Sequence, residues 1–95
     1  MPEPSNRLSE DGIADRLRSL SGWDVKDGKL TKAFRFDDFM GAVSFVNRIA
    51  PVAETEGHHP DLQVGWGRVV VDLSSHDAGG LTAKDFKLAS LIDGV

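Results

Sequence analysis

Three features of this 95-residue sequence predict an α+β domain. Two segments of alternating apolar residues are each broken by a two-residue turn containing glycine, which reads as two β-hairpins. Segments with apolar residues at helical spacing precede, separate and follow those hairpins. Ninety-five residues leave room for one hydrophobic core and no second domain. The expected fold is two-layered: a four-stranded antiparallel sheet with helices packed on one face, in the order α-β-β-α-β-β-α.

Residues 1–8, with two prolines and no periodicity, read as a flexible N-terminal tail, and residues 9–95 as the domain. Ser9 is suited to cap a first helix, because its hydroxyl can accept from a first-turn N–H and Glu10 and Asp11 complement the positive helix end. Ile13, Leu17 and Leu20 form its apolar stripe, and Ser21-Gly22 supplies the stop. Trp23 and Val25 alternate with polar neighbours, Asp27-Gly28 is a turn that requires positive φ, and Leu30, Phe34 and Phe36 resume the alternation. Asp37 or Asp38 caps the next helix, whose apolar face is Phe39, Val43, Val46, Ile49 and Ala50. Pro51 would end or kink this helix near Ala50, since proline removes a donor and clashes with the preceding turn. If the helix continues to about Glu56, Gly57 closes it and leaves His58-His59-Pro60 at its exit. Leu62, Val64 and Trp66 alternate, Gly67-Arg68 fits a type II′ turn with glycine first, and Val69, Val71 and Leu73 form the return strand. Thr82 caps a last helix through about Ile92, with Asp85 in its first turn.

Composition excludes several functions. A net charge of −4 with scattered Lys and Arg argues against nucleic acid as a partner. Without cysteine the fold does not rest on disulfides. No apolar run reaches the roughly 20 residues needed to cross a bilayer, and Met1-Pro-Glu-Pro-Ser lacks the features of a secretion signal. A cytoplasmic protein without membrane attachment is expected.

The chemistry concentrates between Glu54 and Asp85, a stretch that holds all three histidines. Histidine is the side chain that changes charge near neutral pH, so these residues are the candidates for proton transfer. The pattern Glu54-x3-His58-His59-Pro60-x5-Trp66-x9-His76-x8-Asp85 resembles the signature of the pterin-4a-carbinolamine dehydratases at all seven positions. Asp37-Asp38-Phe39 and Gly80-Leu81-Thr82 extend the likeness outward.

That resemblance implies a hydro-lyase that removes water from a 4a-hydroxytetrahydropterin, such as 4a-hydroxytetrahydrobiopterin, and yields the quinonoid dihydropterin. The family's catalytic set falls on His58, His59 and His76, and Pro60, Ser75, Asp77 and Ala78 line its pterin site. The resemblance further implies no cofactor, a homodimer or homotetramer, and a place beside an aromatic amino-acid hydroxylase in tetrahydropterin recycling. Some proteins of this fold act instead as binding or assembly factors, for a transcription factor or a carboxysomal carboxylase, which is the alternative function.

Each remaining residue has an ordinary reading beside the functional one. His58-His59-Pro60 by itself would be an exposed loop. Glu54, four residues before His58, is either a solvated helix residue or that histidine's partner across one turn. Trp66 either packs the sheet or stacks on a ring. Asp85 either serves the helix dipole or orients His76. Glu54, His58, His59 and His76 offer metal-ligand chemistry, but adjacent residues in an extended segment project to opposite sides, so no metal site is expected.

Overall fold

The computed structural model describes residues 6–95. In chain order it contains α1 (Glu10–Leu17), β1 (Asp24–Lys26), β2 (Lys29–Arg35), α2 (Phe39–Glu56), β3 (Asp61–Gly65), β4 (Arg68–Leu73) and α3 (Ala83–Asp93), with a 3₁₀ turn at His76–Ala78. The strands form one antiparallel sheet in the order β1-β2-β4-β3, which is the α+β arrangement expected. Of the segment read as a tail, Met1 to Ser5 lie outside the described residues. Leu8 is tied to the domain: its N–H donates to Leu81 O at 2.8 Å and its side chain packs on the core.

Local chemistry accounts for the element ends. Ser9 Oγ accepts from Gly12 N at 3.1 Å, and α1 closes at Leu17, short of Leu20. The chain continues in tight turns there, with Ser19 N donating to Arg16 O and Leu20 N to Leu17 O. Asp27 and Gly28 both have positive φ, 53° and 75°, the type I′ geometry that matches the twist of paired strands. Asp38 Oδ1 caps α2 by accepting from Gly41 N at 2.7 Å. Pro51 does not end this helix. It lies on the exposed side beside exposed Asn47, whose carbonyl loses its intrahelical donor but can turn to water.

The second hairpin turn differs from the expected one. Gly65 pairs with Arg68, so the two loop residues are Trp66 and Gly67, with glycine second at φ +66°. The cause is tertiary. Gly67 O accepts from Phe36 N at 2.8 Å, and a Cβ on Gly67 would lie 2.8 Å from Phe36 O. Only glycine tolerates both that approach and that φ, and so the turn is held one residue earlier than alternation suggested. Trp66 consequently leaves the strand and is 74% exposed.

Period-2 burial identifies the covered face. Val69, Val71 and Leu73 of β4 are fully buried, while Val70 and Asp72 between them are half-buried on the other side. Against that face α2 sets Ala42, Phe45, Ile49 and Ala53, and α3 adds Phe86, Leu88, Ala89 and Ile92. Phe45 meets Phe34 and Phe36 at ring separations of 4.6 and 5.0 Å. The C-terminal end of α3 is clamped to the first hairpin through Asp93, which accepts from Trp23 Nε1 at 3.0 Å and from Lys32 Nζ at 2.8 Å. This leaves the opposite end of the helical layer to build the histidine region.

The two hairpin glycines should respond differently to a methyl group. Gly28→Ala places a left-handed residue in open space and should lose about 1–2 kcal/mol. Gly67→Ala adds the collision with Phe36 O and should lose measurably more in urea unfolding. Equal losses would mean that the second turn does not press on Phe36.

Candidate functional site

The C-terminus of α2 decides where the histidines begin. Gly57 adopts the left-handed conformation (φ +63°), its N–H donates to Glu54 O, and the His58 N–H reaches back to Ala53 O, both at 3.2 Å. This pair of bonds is a Schellman closure, and it satisfies carbonyls that the helix end would otherwise leave without donors. His58 is therefore anchored through its own backbone. Pro60 holds His59 out of the helical region. The two imidazoles then diverge: the His58 side chain is 15% exposed and that of His59 is 61% exposed.

His58 turns toward Asp85, which is fully buried. Its Oδ1 lies 2.5 Å from His58 Nε2. The other oxygen, Oδ2, accepts from Ser75 Oγ at 2.8 Å and from Thr82 N at 2.9 Å. Because the Ser75 hydroxyl hydrogen is used on Asp85, the 2.9 Å contact between Ser75 Oγ and Thr82 Oγ1 has Thr82 as donor. A buried carboxylate is tolerable only when its oxygens are hydrogen-bonded, and here both are. A carboxylate only accepts, so His58 carries its hydrogen on Nε2, and Nδ1 of the neutral ring has none.

His76 arrives from the opposite wall. After β4 the chain passes Ser74-Ser75 into the 3₁₀ turn, and the loop is closed by Ser75 N to Gly80 O at 3.3 Å and Gly80 N to Ser75 O at 3.4 Å. Ala78 N and Gly79 N donate to Ser75 O and His76 O, each at 3.1 Å. Between this loop and the α2 exit lies a pocket of about 700 Å³. Gly57, His58 and His59 line one side, and Ser75, His76, Asp77 and Ala78 the other. Its size lies within the roughly 300–1,000 Å³ typical of small-molecule sites.

Several expected pairings are rearranged. Glu54 pairs with His59, Oε1 to Nε2 at 2.9 Å, rather than with His58. Asp85 holds His58 rather than His76, and it stands behind the pocket wall while also occupying the first turn of α3. Glu54 and Pro60 flank the pocket without being among its lining residues, and Trp66 sits at the far end of β3 from Asp61, away from the histidines. Asn6, Ser74, Thr82, Ala83 and Lys84 also line the pocket. Of these, the motif's spacing signals none. Among the described residues, no three of His, Asp or Glu converge closely enough to hold a metal ion.

Comparison with known proteins places the chain as a whole. The family profile described as Pterin 4 alpha carbinolamine dehydratase matches residues 6–95. A relative from Thermosynechococcus vestitus, named provisionally as a pterin-4-alpha-carbinolamine dehydratase, is 47% identical over 88 residues, 93% of each chain. A relative of the same name from Roseiflexus is 45% identical over 94% of this chain and 96% of its own. A crystal structure described as a transcriptional coactivator/pterin dehydratase from Brucella melitensis superposes with a TM-score of 0.88 at 36% identity, over 93% of this chain and 96% of its own. A pterin dehydratase-like RuBisCO assembly factor of the alpha-carboxysome shares the fold, with a TM-score of 0.61 at 23% identity over 76% of this chain and 83% of its own. Since the profile spans every described residue and these relatives align over almost their whole length, the chain belongs to the pterin 4 alpha carbinolamine dehydratase family.

Proposed function

We propose that this protein dehydrates a 4a-hydroxytetrahydropterin, such as 4a-hydroxytetrahydrobiopterin, to the quinonoid dihydropterin by histidine acid and base catalysis. The observation that carries this reading is the convergence of His58, His59 and His76 on one pocket from two separate chain segments. In the reaction the bond from C4a to the hydroxyl oxygen breaks, and the hydroxyl departs as water after taking a proton. The neighbouring ring nitrogen loses its proton, and the electron pair of that N–H bond becomes the new carbon–nitrogen double bond. Both proton transfers suit imidazole, each contributing typically 10²–10⁴-fold.

His58 is the base in this scheme. Asp85 holds its Nε2–H, which leaves Nδ1 as the nitrogen able to take the ring proton. The proton for the leaving hydroxyl comes from His59 or His76, the two solvent-facing imidazoles, which exchange readily with water. Ser75, Asp77 and Ala78 contact the pterin from the loop side, and Pro60 fixes the path of His59. Glu54 orients His59 through an exposed pair that contributes little to stability. Trp66 and Asp85 act away from the substrate, one at an interface and the other as the positioning group for His58.

A purified sample should accelerate dehydration of freshly generated 4a-hydroxytetrahydrobiopterin with a metal chelator present. Activity lost to the chelator and restored by zinc would replace this mechanism with a metal-dependent one. His59→Ala and His76→Ala should each lower turnover at least about tenfold while the far-UV spectrum is unchanged, because both side chains are exposed and acid-base contributions are of that size.

Asp85→Asn retains shape but loses an acceptor, leaving a buried donor unmatched. It should reduce stability by about 1–3 kcal/mol. In the folded variant kcat should fall at least about tenfold with KM nearly constant, since the contact with His58 lies outside the pocket. An unaltered kcat would remove Asp85 from the mechanism.

The enzyme is proposed to work in the cytoplasm as a homodimer or homotetramer, recycling the pterin of an aromatic amino-acid hydroxylase. No helix among the described residues is long and apolar enough to cross a membrane. Phe39, Met40, Val64 and Trp66 are exposed, and the Phe36–Gly67 bond draws the start of α2 and the second turn to the same end of the domain. Exposed apolar side chains gathered at one end are better buried against another subunit. Light scattering at micromolar concentration should report a dimer or tetramer that Met40→Glu with Trp66→Ser weakens; a strictly monomeric wild type would overturn the assembly. Binding or assembly roles, as named for two structural relatives, are the alternative, and the presence of all three histidines at one pocket favours the enzyme.

A further inference from the structure

Beside the histidine pocket runs a second recess of about 450 Å³ between the end of α1 and one stripe of α3. The two share Ala83 and Lys84, so Lys84 stands where one opens beside the other. Leu20 and Phe86 supply apolar lining, and Arg16, Lys84 and Lys87 supply three cations with no acidic residue among the described lining residues. One of the three is paired from outside the lining: Glu56 Oε1 lies 3.2 Å from Lys87 Nζ. For a chain in which acids outnumber bases fifteen to eleven, this is a local reversal of charge. The carbonyls of Arg16 and Leu17 at the end of α1 already accept from Ser19 and Leu20, so they do not offset these cations.

We infer that the substrate is a pterin whose side chain ends in an anion, with the ring in the histidine pocket and the anionic end lying past Lys84 against Arg16 and Lys87. This rests on the proposed dehydration and specifies its substrate class. Helical rise places Lys87 about 5 Å and Ser90 about 9 Å along α3 from Lys84, within reach of a short substituent. Phosphate esters and glutamyl carboxylates share the required chemistry. Exposed ion pairs contribute modestly, about two- to fivefold each, so three cations together should give about tenfold or more.

The test is calorimetric binding at low salt of three reduced pterins: 7,8-dihydrobiopterin with a neutral side chain, 7,8-dihydroneopterin monophosphate and 7,8-dihydrofolate. At least one anionic compound should bind about tenfold more tightly than the neutral one, and which one does so separates phosphate from glutamate. That preference should fall in the Arg16→Ala, Lys87→Ala double variant and at high salt, with dihydrobiopterin affinity unchanged. Lys84 is left intact because it lines the histidine pocket. Equal affinity for all three pterins, or a preference indifferent to the double variant, would overturn the inference and leave the dehydration reading standing. Failure of the wild-type protein to bind any of the three would overturn both.

Discussion

The buried carboxylate of Asp85 is the constraint on which the rest of the site depends. Removing a carboxylate from water is tolerated only where donors replace the hydration it gives up. Here the donors come from three places: the backbone at the start of α3, the Ser75 hydroxyl after β4, and the His58 ring beyond α2. Satisfying one group therefore fixes the relative positions of a helix start, a loop and a helix exit. The same contact holds the Nε2 edge of His58, so the group that stabilises the local fold also orients the imidazole.

Around that anchor the domain separates its tasks by position. The Asp93 clamp, the aromatic contacts of Phe45 and the buried strand residues of β4 hold the helical layer to the sheet. At one end of this layer the exit of α2 and the 3₁₀ turn form the histidine pocket. At the other, Phe39, Met40 and Trp66 are exposed. The apolar end and the histidine pocket are thus separated along the helical layer. Relatives described as coactivator, dehydratase and assembly factor share this fold, and the fold alone does not choose among such roles.

Much of this was legible in the sequence because it depends on contacts between near neighbours. Asp38 and Ser9 cap helices through residues three positions away, Asp27-Gly28 makes its own turn, and Gly57 ends α2 because left-handed backbone suits it. Divergence of His58 and His59 followed from adjacency before a proline. Even Pro51, which locally signals a helix stop, is carried through by a helix packed on the core along Phe45, Ile49 and Ala53.

Tertiary structure decided the partnerships. Helical spacing set Glu54 beside His58, yet the Schellman turn rotates His58 inward to a carboxylate 27 residues away and leaves Glu54 to His59. Alternation placed Trp66 in a strand and Gly67 first in its turn, and contact with Phe36 moved both by one position. Lys84 carries no signal in any motif, because its place between two recesses arises only when α3 packs beside α1 and the loop after β4. By itself the sequence determined the element order, the helix caps and the three histidines, since these rest on bonds spanning a few residues or on residue identity. Which acid meets which histidine, and which turn register wins, rests on approaches between segments distant in the chain, and those exist only once the core has packed.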